Sequence, residues 1–414
     1  MTRAPDALIA RTWAVADDLD LLALAGSDGL LFERARAGLG GRGVARVAPA
    51  NEVDDLLQAI RVEDRVGLPG TGPVAFGALP FAHDPDAAMV VPEIVWGRAE
   101  DGTRWVTTIR EAGATIAPDL DALCTPRSRP SSRPPEHITL TPVRQPDWWR
   151  GLVAEATAAM RQAGPDGLQK VVLAREVLVE ADRPFDRTVV LDRLRRAYAD
   201  CYVFHVDGFL GASPELLVGR AGDRVRAQPM AGTSPRGEDH EEDERLSAAL
   251  TASATYRHEH QITIDMVYDT LLPWCSYLDY EAEPSVVGVA NVQHLATLVE
   301  GRLSRPAPSV LELVAALHPT PAVNGWPRDL ARAWIAEHEG FDRARYAGAV
   351  GWVDRAGNGE WAVSIRCAEV HGATARLYAG NGIVADSDPA TELAETEAKL
   401  SAMRDAFTVT ASAT

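Results

Sequence analysis

The residues best suited to chemistry gather near the end of the chain. In the run Tyr378-Ala-Gly-Asn-Gly-Ile-Val-Ala-Asp-Ser-Asp-Pro389, a strand is expected to end at Tyr378, and Gly380 and Gly382 permit close backbone approach. Ser387, Asp388 and Pro389 then have the composition of a helix cap and first turn. On that helix Glu392, Glu395 and Lys399 fall at i, i+3 and i+7, on a single face. Two carboxylates and an ammonium so placed can hold a divalent cation and an anionic ligand together. They can equally form an exposed ion-pair stripe of ~0.3–0.5 kcal/mol. The glycines just upstream, which an ordinary surface helix does not need, favour the site.

Other candidates are scattered through the chain, each with an ordinary structural explanation beside the chemical one. Lys170 heads the β-branched run Lys170-Val-Val-Leu-Ala-Arg175, a setting that suits base work. Glu215, in Gly211-Ala-Ser-Pro-Glu-Leu-Leu217, enters an apolar strand from a tight loop, which tends to raise a carboxyl pKa. Gln228-Pro-Met-Ala-Gly-Thr-Ser-Pro-Arg236 offers a carboxylate the backbone N–H groups around Gly232 and the Thr233 hydroxyl. In His258-Glu259-His260 the histidines stand at i and i+2, on different sides of a helix, so they do not chelate one zinc. Glu259 shares a side with Ile262 and Met266. A carboxylate there is expected to be salt-bridged or to sit at the edge of the stripe. Gly38-Leu-Gly-Gly-Arg-Gly43 matches the dinucleotide pattern GxGxxG, but the helix-like run Leu31–Ala37 precedes it and the strand-like Val44–Val47 follows. That is the reverse of the order phosphate binding requires, so a turn is expected.

The elements that must position these residues are short in the N-terminal third and longer after it. Strand-like runs Val44–Val47, Val66–Leu68, Met89–Val91 and Trp105–Thr108 accompany a helical piece at Val53–Arg61. Beyond a Pro/Ser-rich stretch at 125–136, helices are expected at Pro146–Gln162, Thr188–Tyr198 and Glu241–Leu271. Strands are expected at Lys170–Val179, Cys201–Phe209, Leu216–Arg220, Tyr346–Val353, Trp361–Val370 and Ala373–Ala379. Asp354-Arg-Ala-Gly-Asn-Gly359 between two of them reads as a hairpin turn, which favours antiparallel sheet and an α+β fold. With 414 residues, 46% of them hydrophobic, the chain can bury a large core. Its 41 Lys plus Arg against 59 Asp plus Glu give a net charge of −18, which disfavours nucleic acid and anionic membranes as partners. Four scattered cysteines, no secretory leader and no membrane-length apolar run fit a soluble protein of the reducing cytoplasm.

Taken in order, several segments carry a resemblance. Lys170-Val-Val-Leu-Ala-Arg, Gly211-Ala-Ser-Pro-Glu-Leu-Leu, Ala231-Gly-Thr, Arg257-His-Glu-His and Gln293-His-Leu come first. Leu317-His-Pro-Thr-Pro-Ala-Val, Tyr346-Ala-Gly, Ile365-Arg-Cys-Ala and the glycine–glutamate segment follow. From about residue 140 to 405 the chain resembles the chorismate-utilising enzymes, which include isochorismate, anthranilate, aminodeoxychorismate and salicylate synthases. It is most similar to the isochorismate synthases of siderophore and menaquinone pathways. The resemblance implies a single large α+β domain of two stacked, mainly antiparallel sheets with helices outside. Residues 1–135 would form its N-terminal part, 136–408 the catalytic core and 409–414 a flexible tail.

The resemblance also implies Mg²⁺ held by Glu259 and Glu395, with Glu392 close by. The ring carboxylate of chorismate would lie near Gly232 and Thr233, and the enolpyruvyl carboxylate against Arg366 and Tyr346. Ala322, Gly380 and Lys399 match the family's remaining substrate contacts. Lys170 stands where isochorismate and salicylate synthases carry the base that activates water; anthranilate synthases have a glutamine there. Water would attack C2, and Glu215 would protonate the departing C4 hydroxyl. A monomer is expected, working beside an isochorismatase. A salicylate synthase and a chorismate-binding protein with little turnover are the alternatives. Two departures bear on the site: Tyr256 stands where the family often has an acid, and Asn381 where a smaller residue is usual. Asn324 and Trp326 also follow the His-Pro-Thr-Pro stretch.

Overall fold

The apolar run that begins at Lys170 continues to Ala181 as one strand, buried over most of its length. It is covered at both edges, by Ile138–Pro142 on one side and Thr374–Val384 on the other, both antiparallel. This computed structural model describes residues 8–111, 119–127, 133–164, 166–237, 239–289 and 292–408. The middle of the expected proline-rich loop (128–132) and the expected tail (409–414) lie outside the described residues.

From Thr374–Val384 the first sheet continues through Cys367–His371, Phe209–Ser213 and Tyr202–Val206, then into Leu30–Arg34, Ala37–Arg42, Ile94–Arg98, Arg104–Glu111 and Leu8–Ala14. The second sheet runs from Cys275–Tyr280 through Leu216–Ala221, Gly359–Val363 and Ala349–Asp354 to Val74–Leu79 and Arg46–Pro49. Each sheet therefore takes strands from both sides of the 125–136 loop, and the chain is one α+β domain. Parallel pairing occurs at the sheet edge where Leu8–Ala14 meets Arg61–Asp64. Phe32, Val95 and Trp105 of the first sheet and Phe76, Trp352 and Trp361 of the second share one core. The outer face of the first sheet packs a second core against helices, joining Trp96, Leu191, Leu377, Met403 and Phe407. A small third sheet, Met230–Pro235, Val292–Ala296 and Ser285–Val289, stands beside the two. No described helix is long and apolar enough to cross a membrane.

Several expectations about elements are corrected. Leu31–Ala37 is not helical: Leu30–Arg34 and Ala37–Arg42 form a hairpin, so the glycines of Gly38–Gly43 lie mostly within a strand. A Cβ on Gly38 would stand 2.2 Å from the Phe32 carbonyl oxygen, so a side chain is excluded there and glycine is needed. The expected helix Glu241–Leu271 is two helices, His240–Ala252 and Ala254–Leu271, because Ser253 breaks off to cap the second. Cys201–Phe209 is a hairpin pair, Tyr202–Val206 and Phe209–Ser213, whereas Trp361–Val370 divides between the sheets, Gly359–Val363 in the second and Cys367–His371 in the first. The last strand does not end at Tyr378 but runs on to Val384.

One buried charge pair ties the lysine strand to its surroundings. Arg343 and Glu339 are almost wholly buried and form two 2.6 Å hydrogen bonds, Nε to Oε2 and Nη2 to Oε1. Arg343 also donates to the Val172 carbonyl at 2.6 Å and the Val323 carbonyl at 2.9 Å, while Glu339 accepts the Ala174 N–H at 2.7 Å. Removing one partner leaves a buried charge uncompensated. Glu339→Ala is expected to lower the unfolding free energy in urea by about 3–5 kcal/mol. Asp329→Ala, which breaks the exposed pair with Arg332, should change it by less than ~1 kcal/mol.

Candidate active site

Lys170 is pinned at the head of its strand, paired with Val384 on one neighbour and with Trp326 on another. Its side chain is buried, and Nζ lies 2.6 Å from Glu259 Oε1, which the helix Ala254–Leu271 brings in from the facing wall. The expectation that Glu259 is salt-bridged therefore holds, and its partner is the lysine expected to act as base. Gly382 makes room for the pair, since a Cβ there would stand 2.8 Å from Lys170 Cε and 3.1 Å from Glu259 Oε1. Gly380 serves the neighbouring tyrosine: its Cβ would stand 2.6 Å from the Tyr346 hydroxyl. Both glycines are needed inside the strand, not after it.

Glu215 sits in the turn between Phe209–Ser213 and Leu216–Ala221, fully enclosed. Burial pushes its carboxyl up to about 8, against the opposing effects of the Met230 N–H, Lys170 and Arg366. At pH 7 it is therefore held mainly in its neutral form. Arg366 is also buried, and its backbone is left-handed, with φ of 51° in a non-glycine residue. Its Nη2 donates to His294 Nε2 at 3.2 Å. A guanidinium has only donors, so His294 Nε2 accepts and Nδ1 carries the hydrogen. That Nδ1 faces the Gly232 carbonyl and the Thr233 hydroxyl, both at 3.2 Å. Burial, and then the charge of Arg366, hold the His294 pKa well below the ordinary histidine value, so the ring is neutral. In the sequence His294 stands only as part of the motif Gln293-His-Leu, which does not reveal this bridge. A buried polar residue in an otherwise apolar strand was the available signal.

Tyr346 stacks on Tyr378 with ring centroids 5.0 Å apart, and burial raises its hydroxyl pKa. On the helix Pro389–Phe407, Lys399 Nζ is held by Glu395 Oε1 at 2.8 Å, Asn381 Oδ1 at 2.8 Å and the Gly380 carbonyl at 3.2 Å. Asn381 also donates to Glu392. Burial works against the charged form of Glu395, but Lys399, Asn381 and Thr233 outweigh it and hold its carboxyl below the usual range. Glu392 moves the other way, up to about 7, chiefly through burial, with the charges of Glu395 and Glu259 adding to it. Tyr256 packs against Gly232, where a Cβ would come within 3.2 Å of the tyrosine Cβ. It feels the charges of all three glutamates.

The fold brings the expected residues together. Lys170, Glu215, Gly232, Thr233, Ala322, Tyr346, Arg366, Gly380 and Lys399 line one cavity, with Glu259, His294 and Asn381 among them. Glu395 and Glu392 reach it through Lys399 and Asn381. Among the described residues no group of three or more His, Cys, Asp or Glu side chains is arranged to hold a metal ion. Each of the three glutamates is instead engaged by a lysine or an amide. A neutral carboxylic acid, a lysine and a buried guanidinium around one cavity can transfer protons on an anionic substrate.

Known proteins resemble this chain over most of its length. The chain is 36% identical over 396 residues to the isochorismate synthase DhbC of Bacillus subtilis, covering 89% of this chain and 90% of that protein. It is 33% identical over 366 residues to the isochorismate synthase MenF of the same organism, covering 83% and 77%. Among solved structures, the menaquinone-specific isochorismate synthase MenF of Escherichia coli superposes with a TM-score of 0.81 at 26% identity, over 98% of this chain and 96% of that one. Residues 44–408 match the model of the chorismate binding enzymes, and the chain belongs to that family.

Proposed function

We propose that the protein is an isochorismate synthase, which adds water at C2 of chorismate and releases the C4 hydroxyl, with Mg²⁺ as cofactor. The observation that carries the reading is the pairing, across one cavity, of Lys170 with a carboxylic acid, Glu215, that burial keeps protonated at neutral pH. As the free amine, its own proton first given up to solvent, Lys170 takes a proton from water, whose oxygen bonds to C2. Both double bonds of the ring diene shift, the C4–O bond breaks, and Glu215 gives its proton to the departing hydroxyl, which leaves as water. Arg366 and the Tyr346 hydroxyl hold the enolpyruvyl carboxylate, and the backbone at Gly232 with Thr233 receives the ring carboxylate. Lys399, Gly380 and Ala322 complete the contacts. Placement of the reacting groups and proton transfer supply most of the rate.

The donor chemistry suits magnesium. Glu259, Glu392 and Glu395 offer only carboxylate oxygens, and this hard cation takes one or two protein carboxylates, leaving its other octahedral positions to water and ligand. Glu392 rises to about 7 chiefly through burial, and the charges of Glu395 and Glu259 add to it, so the three carboxylates stand close enough to feel one another. Bound by Glu259 and Glu395, the cation would neutralise the ring carboxylate of the substrate. Nothing in this mechanism calls for a second protein chain, and a cytoplasmic monomer feeding an isochorismatase fits it.

Incubation with chorismate and Mg²⁺, followed by chromatography, is expected to yield isochorismate without pyruvate. Salicylate with pyruvate would instead make the protein a salicylate synthase, and no product would make it a binding protein. The pH dependence has a definite sign. The Glu215 carboxyl is protonated below about 8 and loses its proton above it, so kcat/KM should fall as pH rises through that value. Glu215→Gln should be slow at every pH and lack this alkaline limb. An unchanged limb in that variant would assign it to another group.

A further inference from the structure

We propose that Lys170 and the divalent cation compete for Glu259, so that loading the metal and releasing the lysine are one event. This rests on the magnesium reading above and deepens it. The ion pair is no incidental surface contact. Its N–O separation is 2.6 Å, with the lysine side chain 4% and the glutamate side chain 20% exposed. The strand fixes Lys170 by pairing it on both sides, and the helix Ala254–Leu271 fixes Glu259. Gly382 leaves just enough space between them, which any side chain would take away.

A cation on Glu259 must share that carboxylate with the ammonium. Magnesium binds oxygen at about 2.0–2.1 Å. On Oε1, beside an ammonium 2.6 Å from the same atom, the two positive centres would stand no more than about 4.7 Å apart. On the other oxygen they would still share one carboxylate in a site shielded from water, where repulsion between like charges is strong. The arrangement is therefore an exchange. Without the cation, Lys170 is the counter-ion that lets Glu259 approach Glu392 and Glu395. With it, that role passes to the metal, and the lysine side chain is free to turn toward the ligand side of the cavity. An enzyme built this way would present its base to chorismate only when the metal is in place.

The test is Mg²⁺ binding by the full chain without chorismate, measured by calorimetry for the wild type, Lys170→Met and Glu259→Gln. A crystal structure of the wild type with Mg²⁺ accompanies it. Lys170→Met is expected to bind Mg²⁺ roughly tenfold more tightly, since a charge-assisted hydrogen bond no longer has to be broken first. In the metal-bound wild type, Lys170 Nζ should lie beyond hydrogen-bond distance of Glu259. Unchanged or weaker binding by Lys170→Met, or a metal-bound structure with the pair intact, overturns the competition. Glu259→Gln separates the two readings. If its affinity equals the wild type's, Glu259 is no ligand, and both the magnesium assignment and the exchange fall. If it is weakened while the pair stays intact beside the metal, only the exchange falls. Should Lys170→Met fail to fold, the metal-bound wild-type structure decides alone.

Discussion

The Arg343 guanidinium lies where three segments of the site meet, and the positions of its neighbours depend on it. It binds the Val172 carbonyl of the lysine strand, the Val323 carbonyl beside Ala322, and Glu339 at the end of the helix Arg328–His338. Glu339 returns to the same strand at the Ala174 N–H, and Phe81 covers the guanidinium face at 4.4 Å. Three residues further along lies Tyr346. A buried ion pair is weak evidence for net stability, because desolvation offsets most of the attraction. Here it is better understood as a positioning device. It spends desolvation on holding the strand of Lys170, the loop of Ala322 and the turn before Tyr346 at fixed distances.

Charge is managed differently at each point of the cavity. Glu215 stays neutral because burial leaves it little to balance a negative charge. Arg366 is buried and remains a cation that leans on His294, which burial keeps neutral and which passes the contact to Gly232 and Thr233. Lys170 and Lys399 each sit on a glutamate. An anionic ligand therefore meets Arg366, whose hydrogen-bond partner is a neutral ring, although the whole chain carries −18. Net charge governs what the outer surface repels; the pocket answers to its own residues.

Much of this was legible in the sequence, and what was missed was missed for physical reasons. The ordered motifs brought Lys170, Glu215, Gly232, Thr233, Arg366 and Lys399 into view, and the fold collects them. The Lys170–Glu259 pair was not visible, because it joins a strand and a helix almost ninety residues apart and only the fold sets their separation. The role of His294 needed the direction of its hydrogen bonds, which spacing cannot supply. Leu31–Ala37 reads as helix-like, but most of it belongs to the central strand Leu30–Arg34, whose apolar residues serve both faces, and there sheet packing outweighs local preference. Gly380 and Gly382 were correctly taken as points of close approach. What they approach, the Tyr346 hydroxyl and the lysine–glutamate pair, places them inside the strand.

In the proposed reaction this cavity adds an external water to the ring while the original hydroxyl departs. Turnover of chorismate in water enriched in oxygen-18, followed by mass spectrometry of the isochorismate, tests it directly. One oxygen-18 atom per product molecule is expected, located in the C2 hydroxyl. Isochorismate free of the label, its hydroxyl carried over from C4 within the molecule, would contradict it.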